Sequence, residues 1–284
     1  LEGYLKIKMQ FFSSLLLATL VGMPAMGQFD QFDAVEEGND KSTKSEPTPR
    51  LEVDREDLKA LSSVKATRDE ELFVKAVSKV LGRDQSNLDA LNALAVFYIE
   101  KDKAGLAKII LNRALEAHPD EKALHNNLGI VYSSEGEMRR AISSFKKSID
   151  LNRNYRIGLA NLGSIYLEYG DYQRALEPLE AGYSLIKEDL RKTGDQAAEI
   201  ANNYAVALAG VGRADEAKKI YERILDADSR NIGVLLNYAT LLTKTLKQKP
   251  EARKAISRLK FVADGPKYNQ KAEELEKFLE TLPD

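Results

Sequence analysis

The sequence predicts an all-α protein, an α-solenoid of stacked helical hairpins closed at its C-terminal end by a capping helix. Three observations carry this reading. From Leu51 onward the apolar pattern is helical throughout. The chain is rich in Ala, Leu, Glu and Lys, has no Trp and is only 7% aromatic, a composition that favours helix. Finally, one pattern returns at a fixed interval. In "LHNNLGIVYSSEGEMRRAISSF", Gly129, Tyr132, Gly136, Ala141 and Phe145 are followed 34 residues later by Gly163, Tyr166, Gly170, Ala175 and Leu179. A constant period of this length marks a repeat architecture.

The N-terminus reads differently. Lys6 and Lys8 precede an apolar run from Phe11 to Met23, and "PAMG" then places Ala25 and Gly27 as small exit residues. Residues 1–27 are expected to be a secretory signal cut after Gly27, with an uncleaved inner-membrane anchor or a buried N-terminal helix as alternatives. The absence of cysteine suits export into an oxidising compartment, so a periplasmic or secreted location follows, without an integral span once the signal is removed. Residues 28–50 are acidic and polar, end in Pro47 and Pro49, and read as a disordered linker. Within it Phe29 and Phe32 are either a short docking motif or stray aromatics.

Residues 51–87 form a degenerate helix pair, "LEVDREDLKALSSV" and "DEELFVKAVSKVLG". The repeats occupy 88–266, divided as 88–121, 122–155, 156–197, 198–231 and 232–266. Stepping back one period from the opening motif gives Ala95, Tyr98, Asp102, Ala107 and Leu111, closed by Pro119. Small residues at Gly129 and Ala141 let the two helices of a hairpin cross closely. Gly136 supplies a left-handed helix end, and Tyr132 and Phe145 fill the space between layers. The third repeat carries an eight-residue insertion, after which Tyr204, Ala205, Leu208, Gly212, Ala217 and Tyr221 return to register. That insertion is expected to lengthen the second helix through "LIKEDLRK" toward a turn at Gly194, with Pro178 bending it. The fifth repeat has one additional residue in the turn before Pro250. Ile224 and Leu259 replace residues that are small in earlier repeats. Residues 267–284 form the cap, with Ala272, Leu275, Phe278, Leu279 and Leu282 on its inner side.

These residues resemble the tetratricopeptide repeat family, a 34-residue helix–turn–helix, over about Leu88 to Gly265. The resemblance implies a right-handed solenoid whose first helices line a concave groove that holds a peptide or protein. Ala93, Asn127, Asn161, Asn203 and Asn237 share one inward-facing position, and Asn92, Asn126 and Asn202 lie one residue earlier. Asn is a poor helix former, and its carboxamide complements a peptide bond, so the row reads either as a ladder gripping an extended backbone or as a tie between adjacent helices. Ile130, Leu167 and Val206 are expected to add apolar contacts. The Lys and Arg of the family's carboxylate clamps are missing from this face. The expected partner is thus a protein or peptide of unknown identity, with self-assembly, the groove filled by another copy's tail or cap, as the alternative. A scaffold of a bacterial cell-envelope complex is the setting implied by the family and the signal together.

No catalytic residue is expected. His125 stands where the family often has Trp and reads as a packing ring, without a Ser or Asp placed for a triad and without a Gly-rich phosphate loop. Two histidines and no cysteine offer no metal cage, and no cofactor is implied. A net charge of −2 and a pI near 6.0 give no field to attract nucleic acid.

Overall fold

The computed structural model describes residues 70–283 apart from 189, 191–193 and 264. The signal, the linker and the first helix of the degenerate pair lie outside the described residues. The described residues fall into two compact units, 70–158 and 159–283.

The first unit begins with α1 (Glu70–Arg83), α2 (Leu88–Glu100) and α3 (Ala104–Ala117), followed by α4 (Lys122–Ser134) and α5 (Met138–Leu151). Phe73, Val77 and Val80 of α1 pack on Ala90 and Ala93 of α2, and the Phe73 and Phe97 rings stack with centroids 5.0 Å apart. Leu91 and Ala95 join Leu111, Ala114, Leu124, Leu128 and Val131 in one core that links the first two repeats. The Asn87 side chain caps α2 by accepting from the Ala90 N–H. Gly129 lies against Phe145, so a methyl group on its Cα would stand 2.4 Å from the ring. The expected close crossing is thus a ring seated directly on backbone.

The boundary falls within α6 (Arg156–Glu168), and the second unit continues through α7 (Tyr172–Ser184), α8 (Gly194–Gly210), α9 (Ala214–Ala227), α10 (Ile232–Thr240), α11 (Lys249–Val262) and α12 (Pro266–Glu280). Gly163 repeats the crossing with Leu179 in place of the phenylalanine. Ile224 and Leu259 are buried without disturbing the hairpins, taking up the space that smaller residues leave in earlier repeats. In α12, Ala272, Leu275 and Leu279 are buried, as a cap requires. Phe278, expected beside them, is instead partly exposed, with the Lys244 ammonium 5.9 Å from its ring centre.

Two expectations about the irregular repeats are corrected. The second helix of repeat three does not run on through residues 185–192. It stops at Ser184, and the chain turns at Leu185–Glu188. Ile186 is fully buried, which the exposed side of a continued helix would not provide. Arg223 holds this end by donating to the Lys187 carbonyl at 2.6 Å and to the Tyr183 hydroxyl at 3.1 Å. Part of the insertion instead lengthens the following helix, since α8 begins at Gly194, four residues before the expected repeat boundary at 198.

The extra residue of repeat five is absorbed within the helix, in a π-helical turn over Leu241–Thr245 with Leu246 N–H donating to Leu241 C=O at 2.9 Å. The other four hairpins close identically. The N–H groups of Lys103, Glu137, Asp171 and Arg213 each return to the carbonyl five residues earlier, whereas Gln248 reaches back six, to Leu242. At all five turns one residue is left-handed: Asp102, Gly136, Gly170, Gly212 and Lys247, with φ between 53° and 87°. Glycine adopts this conformation freely, but a lysine is strained there by about 1 kcal/mol. Lys247→Gly is expected to stabilise the protein by about that amount in urea unfolding. An unchanged or lower midpoint would show that the Lys247 side chain compensates the strain.

Candidate functional site

Within each unit, positions one repeat apart on the first helices lie on one face, so the asparagines do align, but mainly toward each other. In the first unit, α4 carries Asn126 and Asn127, both fully buried, and Asn127 Nδ2 donates to Asn92 Oδ1 of α2 at 3.0 Å. Asn92 itself and Ile130 are half-buried and border this pair. His125, next to them, is 1% exposed. Burial, and secondarily the charge of Lys147, lowers its pKa to about 3, so it is a neutral ring at any physiological pH.

In the second unit the same arrangement recurs one bond richer. Asn237 Nδ2 of α10 donates to Asn202 Oδ1 at 2.8 Å, Asn202 Nδ2 to Asn203 Oδ1 at 3.3 Å, and Asn203 Nδ2 to Ser164 Oγ of α6 at 3.0 Å. Three consecutive first helices are thus joined by one amide chain. All three asparagines are buried. Such side chains are retained inside helices because each lost bond would leave a buried amide unsatisfied, at a cost of about 1–3 kcal/mol. Leu167 and Val206, expected to offer apolar contacts, are fully buried, whereas Asn161 is half-buried. Of the residues singled out in the sequence, Asn92, Ile130 and Asn161 keep part of their surface accessible. Asn126, Asn127, Leu167, Asn202, Asn203, Val206 and Asn237 form the framework beneath. Among the described residues, no cluster of His, Asp or Glu could hold a metal ion.

Two features of this region escaped the sequence reading. The Tyr238 hydroxyl donates to Glu222 at 2.9 Å, a bond that crosses from one repeat to the next, and one repeat earlier Tyr204 faces Glu180, where burial and then the charge of Glu180 raise the tyrosine's pKa. The signal was present, because Glu180 and Glu222 occupy equivalent places once the insertion is counted. The second is Glu199, one helical turn before Asn202 and Asn203 on the same face of α8.

Comparison with known proteins bears on the repeat assignment. Residues 123–155 match the profile of the tetratricopeptide repeat, and residues 177–283 match that of the coatomer epsilon subunit. Residues 123–155 are thus a tetratricopeptide repeat, and the described helices have the hairpin fold of tetratricopeptide-repeat proteins. The chain is similar in sequence to the type IV pilus assembly protein PilF of Pseudomonas aeruginosa, 27% identical over 165 residues. That match covers 57% of this chain and 62% of PilF, so it spans less than two thirds of the relative. The solved structure of Pseudomonas aeruginosa PilF superposes with a TM-score of 0.59 at 22% identity, over 70% of this chain and 86% of that one. YrrB, described as a tetratricopeptide-repeat protein with an unusual peptide-binding site, gives 0.56 at 16% identity, over 71% and 98%. MamA of Desulfovibrio magneticus RS-1, from residue 41 to its end, gives 0.50 at 17% identity, over 68% and 96%. At these identities the structural likenesses establish the tetratricopeptide-repeat fold. No described helix is long and apolar enough to cross a membrane.

Proposed function

We propose that this chain is a non-enzymatic scaffold of the bacterial cell envelope that takes an extended segment of a partner protein onto the face that the first helices present within each of its two units. The observation that carries the reading is the repeat-spaced amide row. Asn92–Asn127 in one unit and Asn237–Asn202–Asn203–Ser164 in the other hold successive helices in one register. A face held in register is pre-organised, which lowers the ordering cost of binding an extended chain. Contact with the partner then falls to the accessible residues along the row, Asn92, Ile130 and Asn161. The envelope setting is supported by the basic, apolar and small-residue pattern of residues 1–27 and by the likeness to a pilus assembly protein.

The test places a photo-crosslinking amino acid at Ile130, at Asn161 and, as control, at the exposed Lys146 of α5, in the full chain expressed in cells. Adducts to one protein from the first two positions and none from Lys146 support the face. An adduct to the chain itself redirects the reading to self-assembly, and adducts from Lys146 alone overturn it. A C-terminal alkaline phosphatase fusion checks the location in parallel, because the enzyme gains activity only after export.

A further inference from the structure

We infer that Glu199 is the specificity anchor of this face in the second unit, and that the partner segment it selects carries a lysine or arginine side chain there. The inference rests on the proposed reading of the face as a partner site and adds the chemistry of what is held.

Glu199 lies on α8 at the spacing that puts it in line with Asn202, Asn203 and Val206. The amides around it are already committed to one another, as the chain from Asn237 to Ser164 shows. Glu199 is not. It is half-buried, yet makes no hydrogen bond or ion pair among the described residues. Burial raises its pKa to about 7, with no cation among the described residues to oppose the rise. Glu135 and Glu251, by contrast, are paired, with Lys108 at 2.6 Å and with Lys218 at 2.7 Å.

The neighbouring repeat is open at the corresponding position. Gly233 occupies the equivalent place in α10, and a methyl group there would meet nothing nearer than Asn231 Oδ1 at 3.7 Å. The face therefore presents a partly desolvated carboxyl on α8 and, at the equivalent position one repeat on, no side chain. A carboxylate withdrawn from water and left without a cation is unfavourable, and a cation that reaches it gains more than it would in bulk solvent. A lysine or arginine fits on charge, and its long apolar stem can cross the half-buried surface to reach the carboxyl. An acidic segment would place like charges together, and a purely apolar one would bury the carboxyl further with no partner.

The experiment selects short random displayed peptides on the immobilised full chain, as wild type, Glu199→Gln and Glu199→Lys, with far-ultraviolet circular dichroism and urea midpoints checked to match. The wild type is expected to enrich Lys and Arg, the Gln variant to lose that bias, and the Lys variant to shift toward Asp and Glu. A synthetic peptide from the wild-type pool, followed by fluorescence anisotropy, should bind Glu199→Gln about tenfold more weakly, and its own Lys→Gln version should lose the same factor on the wild type. Peptides without basic bias, or equal affinity for Glu199→Gln, overturn the anchor while leaving the face as a partner site. If the wild type selects no peptide, the reading of the face falls as well.

Discussion

Replacement of Gly129 by valine is expected to destabilise the protein by about 3 kcal/mol, read as a lower urea midpoint. A Cβ at this position would stand 2.4 Å from Phe145 Cε1 and 2.5 Å from Cδ1, far inside contact distance. The ring has nowhere to move, being 3% exposed and clamped between α4 and α5. Overpacking of this kind forces the hairpin apart, and the valine adds two methyl groups beyond the first overlap. The mechanism is separable from a general effect of glycine removal. Gly105 in α3 has open space where its Cβ would be, so Gly105→Ala should instead gain about 0.5–1 kcal/mol from helix propensity. Combining Gly129→Val with Phe145→Ala should restore part of the loss, because the two side chains then share one volume. Strict additivity of the two substitutions would refute the steric account.

The second large effect is a dependence on pH that a single residue imposes. His125 is neutral in the folded protein, with a pKa near 3, against about 6.5 in the unfolded chain. Between those values the unfolded state binds a proton that the folded state does not. Stability is therefore fully present above about pH 6.5 and is lost progressively as the pH falls toward 3. At a pH near 5 the loss amounts to about 2 kcal/mol. The structure explains the sign. His125 Nε2 is buried without a hydrogen-bond partner, so a proton added there would meet neither water nor an acceptor, and Lys147 adds a like charge. Urea unfolding at neutral and mildly acidic pH, in the wild type and in His125→Phe, checks this. The variant should lose most of the slope across that range. An unchanged slope would assign the acid sensitivity to other groups.

The two cases mark how much was legible in advance. Gly129 announced itself through the 34-residue recurrence with Gly163, because the need for a small residue belongs to the hairpin and returns with it. His125 could be recognised as a packing residue from its place in the motif, but the depth of its burial depends on the helices around it. Glu199 is not distinguished by the sequence, because nothing in its neighbours along the chain shows that it lacks an ionic partner among the described residues. The asparagine row was visible as a pattern and ambiguous in meaning. A carboxamide with two donors and an acceptor serves a ligand or a neighbouring helix equally well, and only the bonds of Asn127 to Asn92 and of Asn237 to Asn202 show how it is used within the protein.

The sequence by itself determined what repeats. The helical period, the crossing residues Gly129 and Gly163, the left-handed turns at Gly136, Gly170 and Gly212 and the capping helix all depend on contacts within one hairpin or its nearest neighbour, where spacing along the chain is spacing in space. Only the tertiary structure decided what breaks the repeat. The end of α7 at Ser184 is set by the burial of Ile186 and by Arg223 reaching from the next repeat, and the extra residue before Pro250 is taken up as a π-turn inside a packed helix. In each case the outcome turns on which side chain gains a buried partner far along the chain, and periodicity carries no information about that.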